Sequence, residues 1–396
     1  RGARGPGRSP PRAPARARSG GDAAQEPTRP SLVAVMADDM GFGGLGCFGG
    51  EISPPHLDRL AANGVRLTQF YNTGRCCPTR ASLLTGRYAQ QAGVGWMTNE
   101  GRNRGQDFGY PGYTGELNRT SVTFAEVLAG AGYRTLMTGK WHVGSFAGMW
   151  PMDRGFERYY GLIRGGSNHF QPHPDKLLVE GRRPVAPGED FYTSDSFTDA
   201  AIAYVREWRQ RSDDPFLLYL AFTAPHWPMH APPEDIERYR GRYDTGWEPM
   251  RAGRFERMQE LGILHADSQL SPLDVKPWDE TDPERREVLA HRMAIYAAMV
   301  DRLDQNVGRL VATLEELGVL DDTLILFFAA NGGCAEGGLM GGSPDEMVGG
   351  RAGYFLTYGQ ALANASHTPL RLPQHPVPAA STSPPFIPPS PPPPAP

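Results

Sequence analysis

Four short, nearly continuous apolar runs set the strongest constraint on what this chain can fold into: "SLVAVMA" at 31–37, "YRTLMT" at 133–138, "PFLLYLAFTA" at 215–224 and "DTLILFFAA" at 322–330. A strand with one wet face alternates apolar and polar residues, whereas a strand covered on both faces is apolar throughout. Runs of the second kind, separated by helical patterns, imply an α/β fold with a mainly parallel central sheet flanked by helices. Helices are signalled at "PPHLDRLAANG", "PTRASLLTG", "SVTFAEVLAGAG" and "SDSFTDAAIAYVREW". The clearest helix opens at "TDPERRE", with Thr281 or Asp282 as cap and Pro283 in its first turn, and closes at Gly318. Along it Leu289, Met293, Tyr296, Val300, Leu303, Val307, Leu310, Leu314 and Leu317 recur at spacings of four and three, a stripe suited to packing on the sheet or to a coiled-coil seam.

Composition divides the chain into three zones. An Arg/Pro-rich segment, 1–30, and a proline-rich segment, 373–396, cannot build a packed core and read as disordered tails around a body at 31–372. A net charge of -4 gives no argument for nucleic acid or anionic membrane as a partner, and no run of about 18 apolar residues is present to span a bilayer. Four cysteines, at 47, 76, 77 and 334, are too few for a disulfide framework and leave the redox compartment open. The sequence begins with Arg rather than Met and its first segment lacks the apolar run of a signal peptide, so either the true start lies upstream or export is not readable.

In open α/β sheets ligands bind beyond the carboxyl ends of the strands, so the residues just after each run are the candidates for chemistry. The first run ends in Asp38 and Asp39, then "MGFGG"; the second in "GKWHVG", with Lys140 and His142; the third in "PHWPMH", with His226; the fourth in Asn331 and "GGCAEGG". Asp38 and Asp39 can face one ion only if the strand ends there, which the following glycines permit, and hard oxygen donors suit Ca²⁺ or Mg²⁺. The chain holds 40 basic residues but only three lysines, so Lys140 is a candidate for a role that needs a compact ammonium. An extended segment would put His142 on the same side as Lys140.

A further constellation lies in "YNTGRCCPTRASLLTGRY". Pro78 fits the first turn of a helix, which places Cys77 near the N-cap and Cys76 just before it, with Arg80 one turn on. A thiolate nucleophile at a helix N-terminus fits this arrangement, and so does a structural pair of buried cysteines.

"CCPTRASLLTGR" resembles the sulfatase signature, a CxPxR core followed by LTGR, and the resemblance extends through "VMADDMGFGGLGCFGG", "PPHLDRLAANGVRLTQFYNTGR", "TGKWHVG", "TAPHWPMHAP" and "DDTLILFFAANGGCAEG". It covers roughly 31–372 and is greatest to the arylsulfatase branch. The resemblance implies an alkaline-phosphatase-like fold and a sulfuric ester hydrolase in which Cys76 is converted to formylglycine by a formylglycine-generating enzyme. It further implies one divalent cation, Ca²⁺, held by Asp38, Asp39, Asn331 and residue 76, and catalytic roles for Cys76, Arg80, Lys140, His142 and His226. Lys140 and His226 would hold the sulfate and protonate the leaving oxygen, and His142 would act as base. The implied substrate is a small-molecule or carbohydrate sulfate ester, with 98–117 and 228–280 shaping specificity and Trp227 and Trp247 as aromatic walls.

This chain departs from that pattern in three places. Ala330 stands where the family has an aspartate ligand, Gln374 where it has a sulfate-binding lysine, and Gly43–Gly44 where it often has a polar residue followed by Asp. Beyond 372 the proline-rich segment offers no match to the family's remaining sheet and C-terminal subdomain, which are expected to be missing. These departures favour a second expectation, a catalytically impaired, truncated sulfatase-like chain. A phosphoester or phosphonate ester hydrolase is the third.

Overall fold

A computed structural model describes residues 29–52, 54–98, 108–337 and 356–370, together with the backbone of 386–387. The expected tails lie almost wholly outside the described residues, as does Gln374. The strands are β1 (Ser31–Ala37), β2 (Val65–Arg66), β3 (Arg134–Gly139), β4 (Arg158–Leu162), β5 (Leu178–Glu180), β6 (Arg183–Pro184), β7 (Phe216–Ala221), β8 (Thr323–Ala329) and β9 (Phe386–Ile387). The helices are α1 (Pro55–Ala62), α2 (Cys76–Thr85), α3 (Phe124–Gly130), α4 (Thr193–Arg209), α5 (Pro233–Glu237), α6 (Trp247–Glu260), α7 (Pro283–Glu316) and α8 (Gly359–Ser366).

Among the described residues nine strands form one mixed sheet in the order β2-β9-β8-β1-β7-β3-β4-β5-β6. Its centre, β8-β1-β7-β3-β4, is parallel throughout, and antiparallel pairs occur only toward its edges. The four apolar runs are the four adjacent strands β8, β1, β7 and β3 of that centre, as two-sided burial requires. Alternation sorts their side chains to opposite faces. Val33, Val35, Phe216, Leu218, Leu220, Ile325 and Phe327 join one core, while Ala34, Met36, Leu217, Tyr219, Ala221 and Phe328 join the other. The first core is closed by α4 and α7, the second by α2 and α3 through Cys77, Ala81, Leu84 and Ala125. Each fully buried Val, Leu, Ile or Phe contributes on the order of 1.5–3 kcal/mol, so the two cores dominate the fold's stability.

Helix α7 starts and stops where its sequence directs. Asp282 caps it by accepting a hydrogen bond from Glu284 N, Pro283 occupies its first turn, and Gly318 beyond it takes the left-handed φ of 67°. Its apolar stripe is buried from Leu289 to Leu314 against α1, α4, α5 and the sheet, which makes it a packed core helix rather than a coiled-coil seam. Among the described residues no helix is long and apolar enough to cross a membrane.

Helix α2 departs from expectation. It begins at Cys76 with Arg75 as N-cap, so both cysteines lie inside its first turn and neither is the cap. Pro78 is thus the third helical residue. The first four N–H groups of a helix have no intrahelical acceptor, so a proline there removes no bond.

Candidate active site at the carboxyl ends of four adjacent strands

The four central strands end side by side and bring their following residues together. β1 stops at Ala37, and Asp39 turns out of the strand with a φ of 60°. That left-handed turn lets two consecutive carboxylates serve one pocket, the condition the strand geometry demanded. At the end of β3, Gly139 takes a φ of 100°, and a Cβ there would lie 1.9 Å from Ala221 O; only glycine allows Lys140 N to donate to that carbonyl at 2.8 Å. His142 is not on an extended segment as expected. Its φ is 57°, and this turn, rather than strand alternation, aims its ring at Cys76. Non-glycine residues held at positive φ store strain that the surrounding packing must hold, and such residues cluster at functional sites.

The centre of the pocket is a fully buried charge cluster. Asp38 Oδ2 accepts from Lys140 Nζ at 2.5 Å, and Asp38 Oδ1 lies 3.2 Å from Arg80 Nη2. Arg80 also donates through Nη1 to Lys140 O at 2.8 Å, tying α2 to the loop after β3. None of these three side chains is exposed to solvent. Burial pushes the Asp38 carboxyl up, but the Lys140 and Arg80 charges outweigh it and hold the group well below its ordinary range. Burial alone would lower Lys140, yet Asp38 raises it, so its ammonium persists at any working pH.

Asp39 is in a different position. Its Oδ1 accepts from Asn331 Nδ2, its Oδ2 lies 3.5 Å from His226 Nε2, and that Oδ2 accepts no hydrogen bond among the described residues. Burial raises its carboxyl; His226 pulls it down, and Asp38 pushes it further up. A buried carboxylate with a bare oxygen beside Asp38 and Asn331 is a donor set that a hard divalent cation would complete. Ala330, fully buried and next to Asn331, presents a methyl on the Cys76 side of the sheet, where an aspartate would add a third carboxylate.

Cys76 Sγ lies 3.5 Å from His142 Nδ1 and 4.0 Å from Cys77 Sγ. Its thiol is raised, first by the Cys77 hydrogen bond and then by burial, which makes the unmodified cysteine a poor thiolate nucleophile.

The sulfatase family model matches residues 30–375. The chain belongs to the sulfatase family. It is 36% identical over 377 residues to an uncharacterised sulfatase of Schizosaccharomyces pombe, spanning 88% of this chain and 67% of that protein. To the arylsulfatase of Klebsiella aerogenes it is 35% identical over 370 residues, spanning 89% and 78%. Among solved structures it resembles Ps i-CgsB in complex with k-i-k-neocarrahexaose, with a TM-score of 0.58 and 25% identity over 77% of this chain and 59% of that one. The sulfatase family and fold support sulfate ester hydrolysis.

The structure adds residues that the sequence reading passed over. His169, on the loop between β4 and β5, is fully buried, and its Nε2 donates to His226 O at 2.9 Å; its Nδ1 therefore accepts, from the Thr193 hydroxyl at 2.8 Å. Thr223 donates to Thr193 at 2.9 Å, and His230 Nδ1 accepts from His169 N at 3.3 Å. This network holds the His226 backbone, while Gly166 presses on its ring, a Cβ there falling 2.5 Å from His226 Cε1. His230 stood in "TAPHWPMHAP", four residues after His226; His169 had no strand end or motif to mark it. Of the two expected aromatic walls, Trp227 is half-buried and stacks on His226 at 5.5 Å. Trp247 is a correction: it is 1% exposed and packs edge-on to Trp278 at 4.8 Å, so it is a core residue rather than an open wall. Gly43 and Gly44 are buried in a short 3-10 turn. The part of 98–117 that spans 99–107 is outside the described residues.

Buried histidines give this architecture an acid limit. Burial pushes His169 down to about 3, and pushes His367, on the loop after α8, down to about 4, from an ordinary 6.5. Below pH 6.5 the unfolded chain takes up protons that the folded chain refuses, so stability present above 6.5 is lost as pH falls toward those values, by about 1.4 kcal/mol per pH unit for each group. Urea unfolding between about pH 7.5 and pH 5 should show that slope, and His169→Gln should flatten it. A profile unchanged by the substitution would mean that His169 is protonated in place.

Proposed function

We propose that the chain hydrolyses sulfate esters through residue 76 in its formylglycine form, with Lys140, His142, His226 and Arg80 as the working side chains. The observation that supports this most is the 3.5 Å approach of Cys76 Sγ to His142 Nδ1 beside the buried Asp38–Lys140–Arg80 cluster. Converted by a formylglycine-generating enzyme, residue 76 would supply, as its hydrate, an oxygen nucleophile for sulfur that no ordinary side chain offers. A hard divalent cation, Ca²⁺ from the donor set, would be held by Asp38, Asp39, Asn331 and residue 76 and would supply positive charge facing the sulfuryl oxygens.

The remaining work falls to the chain's own groups. Lys140, kept protonated by Asp38, offers an ammonium to a sulfate oxygen. Arg80 holds Lys140 O and Asp38, so it fixes the position of that ammonium. His226 uses Nδ1 to donate to Trp227 O, and its Nε2, beside Asp39, would deliver a proton to the leaving oxygen. His142, with Nδ1 3.5 Å from Cys76 Sγ, would take a proton from residue 76. The substrate is a small-molecule or carbohydrate sulfate ester.

A second reading, a catalytically impaired sulfatase-like chain, is favoured by one observation, the Ala330 methyl beside the cation site. Without a carboxylate there, the two carboxylates Asp38 and Asp39 face a pocket that already holds the two cations Lys140 and Arg80, both paired with Asp38, and a further cation gains less from entering. Two measurements decide. Trypsin releases the peptide Cys76–Arg80, whose mass should be that of formylglycine in material made with the converting enzyme. The same material should hydrolyse an aryl sulfate faster than the matching aryl phosphate, with Ca²⁺ supporting and chelator suppressing turnover. An intact cysteine overturns the proposal; converted but inactive protein establishes the impaired reading; preference for phosphate points to a phosphoester hydrolase.

A further inference from the structure

Cys76, Cys77 and His142 each present a ligand atom within 4.8 Å of the other two, and all three side chains are buried. Cys77 has no part in the hydrolysis derived above, and the donors are soft sulfur and imidazole nitrogen rather than the hard oxygens of Asp38, Asp39 and Asn331. The two edges that meet at Cys76 are close to those of a tetrahedral thiophilic site. Metal distances of about 2.3 Å to sulfur and about 2.0–2.1 Å to nitrogen place two sulfurs about 3.8 Å apart and a sulfur and a nitrogen about 3.5 Å apart. The observed edges are 4.0 Å for Cys76 Sγ to Cys77 Sγ and 3.5 Å for Cys76 Sγ to His142 Nδ1. Consecutive cysteines at the start of α2 supply the two sulfurs, and the left-handed turn at His142 brings the ring to them across the sheet end. A fourth donor is adjacent: Met97 Sδ lies 3.8 Å and Thr98 Oγ1 3.6 Å from Cys77 Sγ.

We propose that the unconverted, cysteine-bearing chain binds one thiophilic ion of the zinc class through Cys76, Cys77 and His142. Binding converts two thiols to thiolates, releases two protons to solvent and leaves all oxidation states unchanged. Conversion of Cys76 to an aldehyde removes one of the two sulfurs, so the metal-bound and formylglycine states exclude each other.

The test uses the full chain made without the converting activity, reduced and stripped of metal, titrated with Zn²⁺ against a chromophoric chelator in excess Ca²⁺. One Zn²⁺ per chain and two protons released are expected. Cys77→Ser and His142→Gln should each weaken binding by about tenfold or more, while Cys47→Ser, remote from the cluster, should leave it unchanged. Co²⁺ on the unsubstituted chain gives a second readout that needs no variant, a thiolate-to-metal charge-transfer band with the intense visible absorption of tetrahedral cobalt. Zn²⁺ displaced by excess Ca²⁺, binding unmoved by Cys77→Ser, or an octahedral cobalt spectrum would each overturn the proposal. Because every readout is made on the unconverted chain, failure here leaves the formylglycine reading intact, and failure of that reading leaves this site intact.

Discussion

With aspartate at position 330, the protein should lose stability in chelator and regain it in Ca²⁺. Ala330 is fully buried, its N donates to Ala37 O at 2.8 Å, and strand alternation puts its methyl in the core layer that contains Cys76 and Trp141. A carboxylate there would have no counter-charge of its own, because Lys140 and Arg80 already serve Asp38. An unpaired buried charge costs roughly 3–5 kcal/mol, so urea unfolding of Ala330→Asp in chelator should reveal a loss of that order. Added Ca²⁺ should reverse the loss, since cation affinity rises with the number of charged ligands. Calorimetry should show Ca²⁺ binding at least about tenfold tighter than in the parent chain. A variant destabilised equally with and without Ca²⁺ would place the cation elsewhere and remove Asp39 and Asn331 from the list of its ligands.

Asp38→Asn should unfold the protein more easily by roughly 3–5 kcal/mol, although it changes almost no volume. The reason is electrostatic. Arg80 and Lys140 have 0% of their side chains exposed, and Asp38 is the carboxylate that both of them meet. An amide in its place leaves two buried cations without neutralisation, whereas Lys140→Met removes one cation and leaves the Asp38–Arg80 pair, so it should cost less. The order of the two variants in urea unfolding at neutral pH is the discriminating result. A loss below about 1 kcal/mol for Asp38→Asn would mean that water reaches the cluster and screens it, as at an exposed ion pair.

Much of the site was legible because its residues sit next to features that sequence encodes locally. Two-sided apolar runs mark central strands, and Asp38, Lys140, His226 and Asn331 follow those runs closely. The helix starting near Cys76 was legible from Pro78, but its cap was not. Proline is tolerated anywhere among the first N–H groups, which have no partner, so it marks the turn without marking the residue. His142 reached its expected neighbourhood by an unexpected route, a positive-φ turn that no residue type announces. His169 and its threonines were invisible, because their partners lie 24 to 57 residues away and nothing local distinguishes a buried histidine from an exposed one. Trp247 shows the converse error, since an aromatic in a loop-rich segment reads as a wall until packing against Trp278 shows it to be core.

Residue type and order alone determined the sheet's central strands, the family, and the inventory of carboxylates, lysine, histidines and cysteines at one rim, because strand burial and strand ends are properties of short segments. Which of those groups pair was decided only by tertiary structure. The neutralisation of Asp38 by two cations, the bare oxygen of Asp39 and the gathering of Cys76 and Cys77 with His142 depend on contacts between segments far apart in the chain, and Coulomb energy and desolvation are set by distance in space rather than along the chain.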